Sequence, residues 1–137
     1  MALAHAGAEV WLASRTRAEV EAAANEINVA GGTAHAVACD VTDTAAVHRT
    51  IAVLPSLDIL VNNAGITCDQ LLIKMGEEEW DKVMAVNTKG VFLCCQEAAT
   101  RMLRAGKGGR LINTASGQAR QGFVYTPHYA ASKFGVL

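Results

Sequence analysis

The stretch LDILVNNAG, residues 57–65, decides the fold of this chain of 137 residues. Its first five residues form a short, mainly apolar run after Pro55, and Asn62 to Gly65 follow it as turn-forming residues, which predicts a β-strand that ends in a tight loop. Similar short apolar runs predict three further strands, at Val10–Ala13, Thr33–Cys39 and Arg110–Ala115.

Helical patterns separate these strands. Thr16 and Glu19 have the spacing of a capping box, and either Thr42 or Asp43 is expected to cap a second helix. The patterns cover residues 16–31, 43–54, 77–105 and the segment from Pro127 to the end of the chain. Strands that alternate with helices predict a parallel sheet and an α/β fold, in a single domain over residues 1–137. Because the strands are apolar, we expect both of their faces to be covered.

The composition argues against several classes of function. The chain is 51% hydrophobic and 18% charged, with a formal net charge of −1, which argues against a nucleic-acid-binding surface. No run of about 18 apolar residues predicts a membrane span, and the N-terminus lacks the pattern of a signal peptide. The four cysteines have neither CxxC nor disulfide-framework spacing, so we expect a disulfide-free cytoplasmic protein, and we predict no metal site.

Polar or small residues follow every predicted strand, and ligands of open parallel sheets bind beyond these carboxyl ends. In chain order they are Ser14, Arg15, Asp40, Asn63, Ala64, Gly65 and Ser116. The needs of a turn explain each of them individually, but their convergence on one rim of the sheet favours a binding site.

Asn87 is expected on the buried stripe of the long helix. A buried amide costs about 1–3 kcal/mol unless its hydrogen bonds are met. The position therefore predicts either a satisfied structural asparagine, at a helix kink helped by Gly90, or an amide that holds a water or a backbone carbonyl beside a reaction centre.

The stretch YAASK, residues 129–133, places Tyr129 and Lys133 four positions apart and on one face if the segment is helical. An ammonium held beside a phenol favours the phenolate, so this hydroxyl would be able to exchange protons near neutral pH. The alternative is a half-buried ring beside a solvated charge.

With NNAG at 62–65, Asn87, Ser116 and YxxxK at 129–133, the chain resembles the short-chain dehydrogenase/reductase family over essentially all of its residues. The gap of 13 residues from Ser116 to Tyr129 also matches the family. The resemblance implies a Rossmann-like, doubly wound parallel sheet. It further implies an NAD(P)(H)-dependent oxidoreductase that transfers hydride between the cofactor and a carbonyl or secondary alcohol.

The resemblance gives each of these residues a role. Tyr129 would be the general acid/base, and Lys133 would favour its deprotonated form and hold the nicotinamide ribose. Ser116 would orient the substrate oxygen, and Asn87 would position a water that links Lys133 to solvent.

Further cofactor contacts are implied at the strand ends. Asp40 and Val41 would flank the adenine, and residues 63–65 (Asn63, Ala64, Gly65) would line the adenosine ribose. Ser14 stands where an acidic residue would bind the ribose hydroxyls of NAD, and the neighbouring Arg15 suits a 2′-phosphate. NADP(H) is therefore favoured over NAD(H), and a solvated loop charge is the alternative for Arg15.

Segments near the site resemble different members of the family. Residues 66–75 and the helix EEEWDKVMAVNTKGVF (77–92) resemble 3-oxoacyl-acyl-carrier-protein reductases, which makes a 3-oxoacyl thioester one expected substrate. GQARQGFVYTPHY (117–129) is closer to sugar, polyol and other secondary-alcohol dehydrogenases. Members commonly form dimers or tetramers through the long helix and the YxxxK helix, which implies a homo-oligomer.

The chain also departs from the family. The family begins with a strand and a glycine-rich TGxxxGxG turn that binds pyrophosphate, and the sequence contains neither. We therefore expect a partial dinucleotide-binding domain without the first strand, which is central in the sheet, and without the C-terminal strands. Such a chain is expected to bind cofactor weakly or not at all, and a non-catalytic fragment that acts only as an oligomerisation partner is the alternative function.

Overall fold

The computed structural model describes all 137 residues as four strands and six α-helices. The strands are β1 (Glu9–Ser14), β2 (Thr33–Ala38), β3 (Ile59–Asn62) and β4 (Arg110–Asn113). The helices are α1 (Ala2–His5), α2 (Arg17–Val29), α3 (Thr44–Ala52), α4 (Glu77–Met84), α5 (Gly90–Ala105) and α6 (Pro127–Phe134). None of these helices has both the length and the apolar character needed to cross a bilayer.

The four predicted strands are all present, with no end displaced by more than two residues. Asp43 caps α3, because its carboxylate accepts hydrogen bonds from the N–H groups of Ala45 and Ala46. Thr16 precedes α2 as its N-cap, but its side chain makes no capping hydrogen bond, so the predicted capping box does not form.

The strands pair in parallel, as the alternation of strands and helices predicts. β1 pairs with β2 and β3 pairs with β4, in the registers Glu9↔Thr33 and Ile59↔Arg110. No hydrogen bonds join β1 to β3, so the strands form two separate pairs. Asn62 and Asn113 close the β3–β4 pair, where the amide Nδ2 of Asn62 donates to Oδ1 of Asn113 at 2.9 Å.

Two separate hydrophobic clusters hold these pairs. One cluster lies between β1–β2 and the helices α1 and α2, and its buried members are Ala4, Ala24, Ile27 and Ala34. The other joins the end of β2 to α3 and α5 through Cys39, Val47, Ile51, Leu93, Ala98 and Met102. The α3–α5 contact therefore connects the two halves of the chain.

The expectation that every strand is covered on both faces is wrong for β3 and β4. All four residues of β4 are exposed, and β3 buries only Asn62. The reason is that α5 packs against this pair from one side, which leaves Ile59, Val61, Leu111 and Ile112 between 41% and 48% exposed.

The long helical pattern from 77 to 105 is divided in the structure. A π-helical turn at Ala85–Lys89 separates α4 from α5. Just after this turn the backbone of Gly90 lies against Val41, and a Cβ at Gly90 would come within 2.8 Å of the Val41 Cγ2 atom. A π-turn widens a helix locally and often marks a functional site.

All four cysteines are free thiols. Burial raises the pKa of the Cys94 thiol to about 11, and the neighbouring Cys39 and Cys95 thiols add to this effect. Cys94 therefore remains protonated at neutral pH and behaves as a small apolar side chain of the core.

Two leucines of α5 provide a matched test of the core. Leu93 is 7% exposed and belongs to the α3–α5 cluster, whereas Leu103 is 81% exposed on the same helix. Leu93→Ala is expected to lower the free energy of unfolding by roughly 2–5 kcal/mol, because it removes buried apolar area and leaves a cavity. Leu103→Ala should change it by about 0.5 kcal/mol or less. Urea unfolding followed by circular dichroism measures both, and equal losses would contradict the assigned core.

Candidate active site

A cavity of about 450 Å³ opens at the carboxyl ends of β3 and β4, beside the first turn of α6. Five of the predicted site residues line it together: Asn63, Gly65, Ser116, Tyr129 and Lys133. Its other lining residues are Ile66, Thr67, Asp69, Thr114, Ala115, Gln118 and Thr126. The site is thus built from the loops that follow two parallel strands, as the topology requires.

Lys133 is the buried cation of this cavity. The residue is only 4% exposed, and its Nζ donates a hydrogen bond of 2.7 Å to the carbonyl oxygen of Thr114. An ammonium has three N–H donors, so two remain without a protein partner. Nζ lies 5.8 Å from the centroid of the Tyr129 ring, which places the cation beside the phenol as the i, i+4 spacing predicts.

Ser116 stands where β4 leads into a short 3₁₀ turn, Gly117–Ala119. Its Oγ accepts a hydrogen bond of 3.2 Å from the N–H of Gln118, which fixes the direction of the hydroxyl oxygen. Since that bond uses the oxygen as an acceptor, the hydroxyl proton stays available to a group in the cavity.

Asn87 lies in the π-turn, is fully buried and does not line the cavity. Its Nδ2 donates to the carbonyl oxygen of Ile66 at 2.9 Å and to Oγ of Ser132 at 3.0 Å. Its Oδ1 accepts from the N–H of Ile66 at 2.8 Å. Asn87 is therefore a buried asparagine at a helix irregularity whose hydrogen bonds are met, and its amide holds a backbone carbonyl of the loop that borders the cavity.

Gly65 brings Asn87 and Lys133 to the same place. A Cβ at Gly65 would lie 3.5 Å from both Asn87 Oδ1 and Lys133 Nζ. These two polar atoms therefore flank one point on the wall of the cavity.

The main chain of Tyr129 is held on both sides. Its N–H donates to Nδ1 of His128 at 2.9 Å, and its carbonyl oxygen accepts from Oγ of Ser132 at 2.7 Å. Reasoning from the sequence missed His128, Ser132 and the carbonyl of Thr114. In the sequence, only the polar residue types next to Tyr129 and Lys133 indicated them. Their hydrogen-bond partners lie far away along the chain: Cys68 for His128, Asn87 for Ser132 and Thr114 for Lys133.

The predicted contacts at β1 and β2 do not line this cavity. Ser14 ends β1 and Arg15 follows it, while Asp40 and Val41 come after β2. The two strand ends lie side by side, because the N–H of Cys39 donates to the carbonyl oxygen of Ser14 at 2.9 Å. The pKa of the Asp40 carboxyl is lowered, chiefly by hydrogen bonds from the N–H and hydroxyl of Thr42 and further by the charge of Arg15. Ala64 lies in the exposed loop after β3, outside the cavity lining.

Comparisons with known proteins agree on one family. The family model described as short chain dehydrogenase matches residues 1–137. The chain is 40% identical over 126 residues to the 3-oxoacyl-acyl-carrier-protein reductase of Staphylococcus aureus, which covers 89% of this chain and 51% of that protein. It is 43% identical over 89 residues to 2-dehydro-3-deoxy-D-gluconate 5-dehydrogenase of Escherichia coli, with 65% of this chain and 35% of that protein covered.

The structure also matches solved structures of the same kind. A short-chain type dehydrogenase/reductase from Mycobacterium marinum superposes with a TM-score of 0.94 at 37% identity, over 98% of this chain and 57% of that one. This match confirms the α/β, Rossmann-like fold. The chain spans about half the length of the curated relatives it matches.

Two asparagines provide a matched test of the buried amide. Asn87 bonds both the N–H and the carbonyl of Ile66 from a buried position, and Asn28 bonds the same two groups of Ala34 from an exposed helix position. Asn87→Ala is expected to cost about 1–3 kcal/mol in the free energy of unfolding, because it removes a fully buried amide and leaves the buried Ser132 hydroxyl without this partner. Asn28→Ala should cost about 1 kcal/mol or less, since Asn28 is exposed and water can reach the position of its amide. Chemical denaturation measures both, and a smaller loss for Asn87→Ala would contradict the assignment.

Proposed function

The chain belongs to the short chain dehydrogenase family, and from this premise we propose that it carries the proton-handling part of an active site for NADP(H)-linked oxidoreduction between a carbonyl and a secondary alcohol. The observation that carries the proposal is the convergence of Ser116, Tyr129 and the buried ammonium of Lys133 on one cavity. The activity is proposed for the protein to which these residues belong.

Family membership implies a nicotinamide cofactor, and the residues of the cavity fit one. The two free N–H donors of Lys133 and the hydroxyl of Tyr129 suit the hydroxyls of the nicotinamide ribose. Gly65 leaves the space beside the ammonium of Lys133 free of a side chain. When bound, the cofactor supplies or accepts the hydride.

Tyr129 is the proposed general acid in the direction of reduction. Its hydroxyl donates a proton to the carbonyl oxygen of the substrate, while the Ser116 hydroxyl donates a hydrogen bond to the same oxygen and holds it in place. The ammonium of Lys133 stabilises the phenolate that remains, since a positive charge beside the ring favours its ionised form.

The phenolate must regain its proton before the next turnover. Asn87 Oδ1 accepts one protein hydrogen bond and has a second lone pair. A water held between this oxygen and Lys133 Nζ beside Gly65 would carry protons from solvent to the site. This is the proposed role of Asn87, in addition to the loop contact that its amide makes.

NADP(H) is the proposed cofactor because of the side chains at the end of β1. Arg15 is exposed and forms no salt bridge, so its guanidinium is free to bind a 2′-phosphate. Arg17 is less suited, because its Nε is 2.7 Å from Oε1 of Glu21. Asp40 and Val41 are proposed to flank the adenine, and residues 63–65 (Asn63, Ala64, Gly65) to line the adenosine ribose.

Two substrate classes remain proposals. A 3-oxoacyl thioester is supported by the likeness to the Staphylococcus aureus reductase. A sugar or polyol is supported by the polar side chains of Thr67, Asp69 and Gln118 in the cavity wall, which suit hydroxyl groups, and by the likeness to the Escherichia coli dehydrogenase. Turnover of each class with the same protein separates the two.

We also propose a homo-oligomer, a dimer or tetramer, in the cytoplasm. Apolar side chains exposed on α5 and α6 support it, because Phe92 and Phe134 are 58% and 50% exposed. A non-catalytic oligomerisation partner is the alternative function. It would co-purify with an intact reductase and show no turnover of its own.

Replacing Arg15 tests the choice of cofactor. Arg15→Ala is expected to weaken NADPH binding by about 10-fold or more, because a charge-assisted hydrogen bond contributes about 1.5–3 kcal/mol. Binding of NADH should change little, and Arg17→Ala serves as the control for a neighbouring paired arginine. Fluorescence titration measures each dissociation constant, and an equal loss for both cofactors would refute the 2′-phosphate contact.

Replacing Tyr129 tests the chemistry. Tyr129→Phe is expected to lower kcat by about 10²–10⁴-fold, because it removes the proton donor, while affinity for NADPH is largely retained. Tyr125→Phe is the matched control, since Tyr125 is 57% exposed and lies outside the cavity lining. Steady-state turnover of a carbonyl substrate with NADPH gives the answer, and full activity of Tyr129→Phe would refute the assigned role.

A further inference from the structure

His128 directly precedes Tyr129 and is fully buried, although the proposed chemistry assigns it no part. Both of its ring nitrogens meet main-chain atoms. Nδ1 lies 2.9 Å from the backbone nitrogen of Tyr129, and Nε2 lies 2.8 Å from the carbonyl oxygen of Cys68. A buried imidazole with two main-chain partners is held more rigidly than a side chain that only fills space.

These partners determine the protonation of the ring. A backbone N–H can only donate a hydrogen bond, so Nδ1 must be unprotonated to accept from Tyr129. A carbonyl oxygen can only accept, so Nε2 must carry the proton that it donates to Cys68. Both bonds exist together only for the neutral ring in its Nε2–H tautomer.

The two partners belong to different segments of the chain beside the cavity. Cys68 lies between Thr67 and Asp69, which line the cavity from the loop after β3, and Tyr129 lines it from α6. The ring of His128 is therefore a bridge of two hydrogen bonds between these segments. On the other side of the Tyr129 residue, Oγ of Ser132 holds its carbonyl oxygen.

We propose that His128 is a positioning residue, which fixes the main chain of Tyr129 against the loop at residues 67–69 and so sets where the phenol meets the substrate oxygen. The inference rests on the proposed function for its catalytic consequence. Its structural content, a neutral ring that bridges Tyr129 and Cys68, stands on the hydrogen bonds themselves.

Three substitutions separate the two bonds. His128→Asn keeps an acceptor near the position of Nδ1 and loses the bond to Cys68, whereas His128→Gln keeps a donor near the position of Nε2 and loses the bond to Tyr129. His128→Phe keeps an aromatic ring at this position and loses both hydrogen bonds. His48→Phe is the control, because His48 is an exposed histidine on α3 that pairs with Glu97.

Kinetics test the catalytic consequence. His128→Phe is expected to lower kcat by about 10²-fold with little change in KM for NADPH, because a misplaced general acid slows the chemistry rather than cofactor binding. His128→Asn should recover more of kcat than His128→Gln, since it keeps the bond to Tyr129, and His48→Phe should match the unmodified protein. Unchanged kcat in a folded His128→Phe variant, or equal losses in the Asn and Gln variants, would overturn the proposal.

NMR of the isotopically labelled protein decides the structural content without any turnover. We expect the His128 ring nitrogens to have the shifts of the Nε2–H tautomer, a scalar coupling between Tyr129 N and His128 Nδ1, and slow exchange of the Tyr129 amide proton. Fast exchange of that amide, or the other tautomer, would overturn the proposal. If the unmodified protein shows the coupling but no turnover, the proposed function fails and the bridge stands; if it turns over without the coupling, the reverse holds.

Discussion

The buried amide of Asn87 is the constraint on which the arrangement of the site depends. It joins the loop after β3, through both polar main-chain groups of Ile66, to α6, through Ser132. Each bond contributes only about 1 kcal/mol net, but a buried group left without a partner costs about 1–3 kcal/mol. Moving either segment away from the amide would break these bonds, so the amide fixes the loop and α6 in one geometry more than it adds stability.

That geometry explains how a cation and a phenol come to share one cavity. α6 carries Tyr129 and Lys133 on one face, and the carbonyl of Thr114 at the end of β4 holds the ammonium. Ser116 lies in the loop after the same strand, and its hydroxyl reaches the same cavity. Since the two strands are parallel, their loops leave the sheet on the same edge, and a few hydrogen bonds are enough to align the three polar groups.

Local patterns were sufficient to predict the four strands and a helix cap at Thr42 or Asp43, of which the structure shows Asp43, because each depends on residues close together in the sequence. The parallel pairing joins distant residues, and it was predicted from the alternation of strands and helices. The π-turn was not predictable in this way, since it accompanies a bond between Asn87 and Ile66 over 21 residues. The burial of His128 depends on a carbonyl 60 residues away. The prediction that β3 and β4 are covered on both faces was wrong. An apolar strand sequence shows that burial would be favourable, but it does not show that another element packs on the second face.

The two hydrophobic clusters have a consequence for how this site can diverge. The cluster of α1, α2, β1 and β2 contains no residue of β3, β4 or α6, and it packs on β1 through Val10 and Leu12, before that strand reaches Ser14. The α3–α5 cluster touches both regions, because it contains Cys39, whose N–H bonds the carbonyl of Ser14, and it packs on Leu60 of β3. Changes in packing within the first cluster can therefore shift the loop that we propose discriminates between dinucleotides while Tyr129 stays in place, whereas changes in the second act on both regions. The proposed cofactor preference can thus diverge separately from the proposed proton transfer through the packing behind β1.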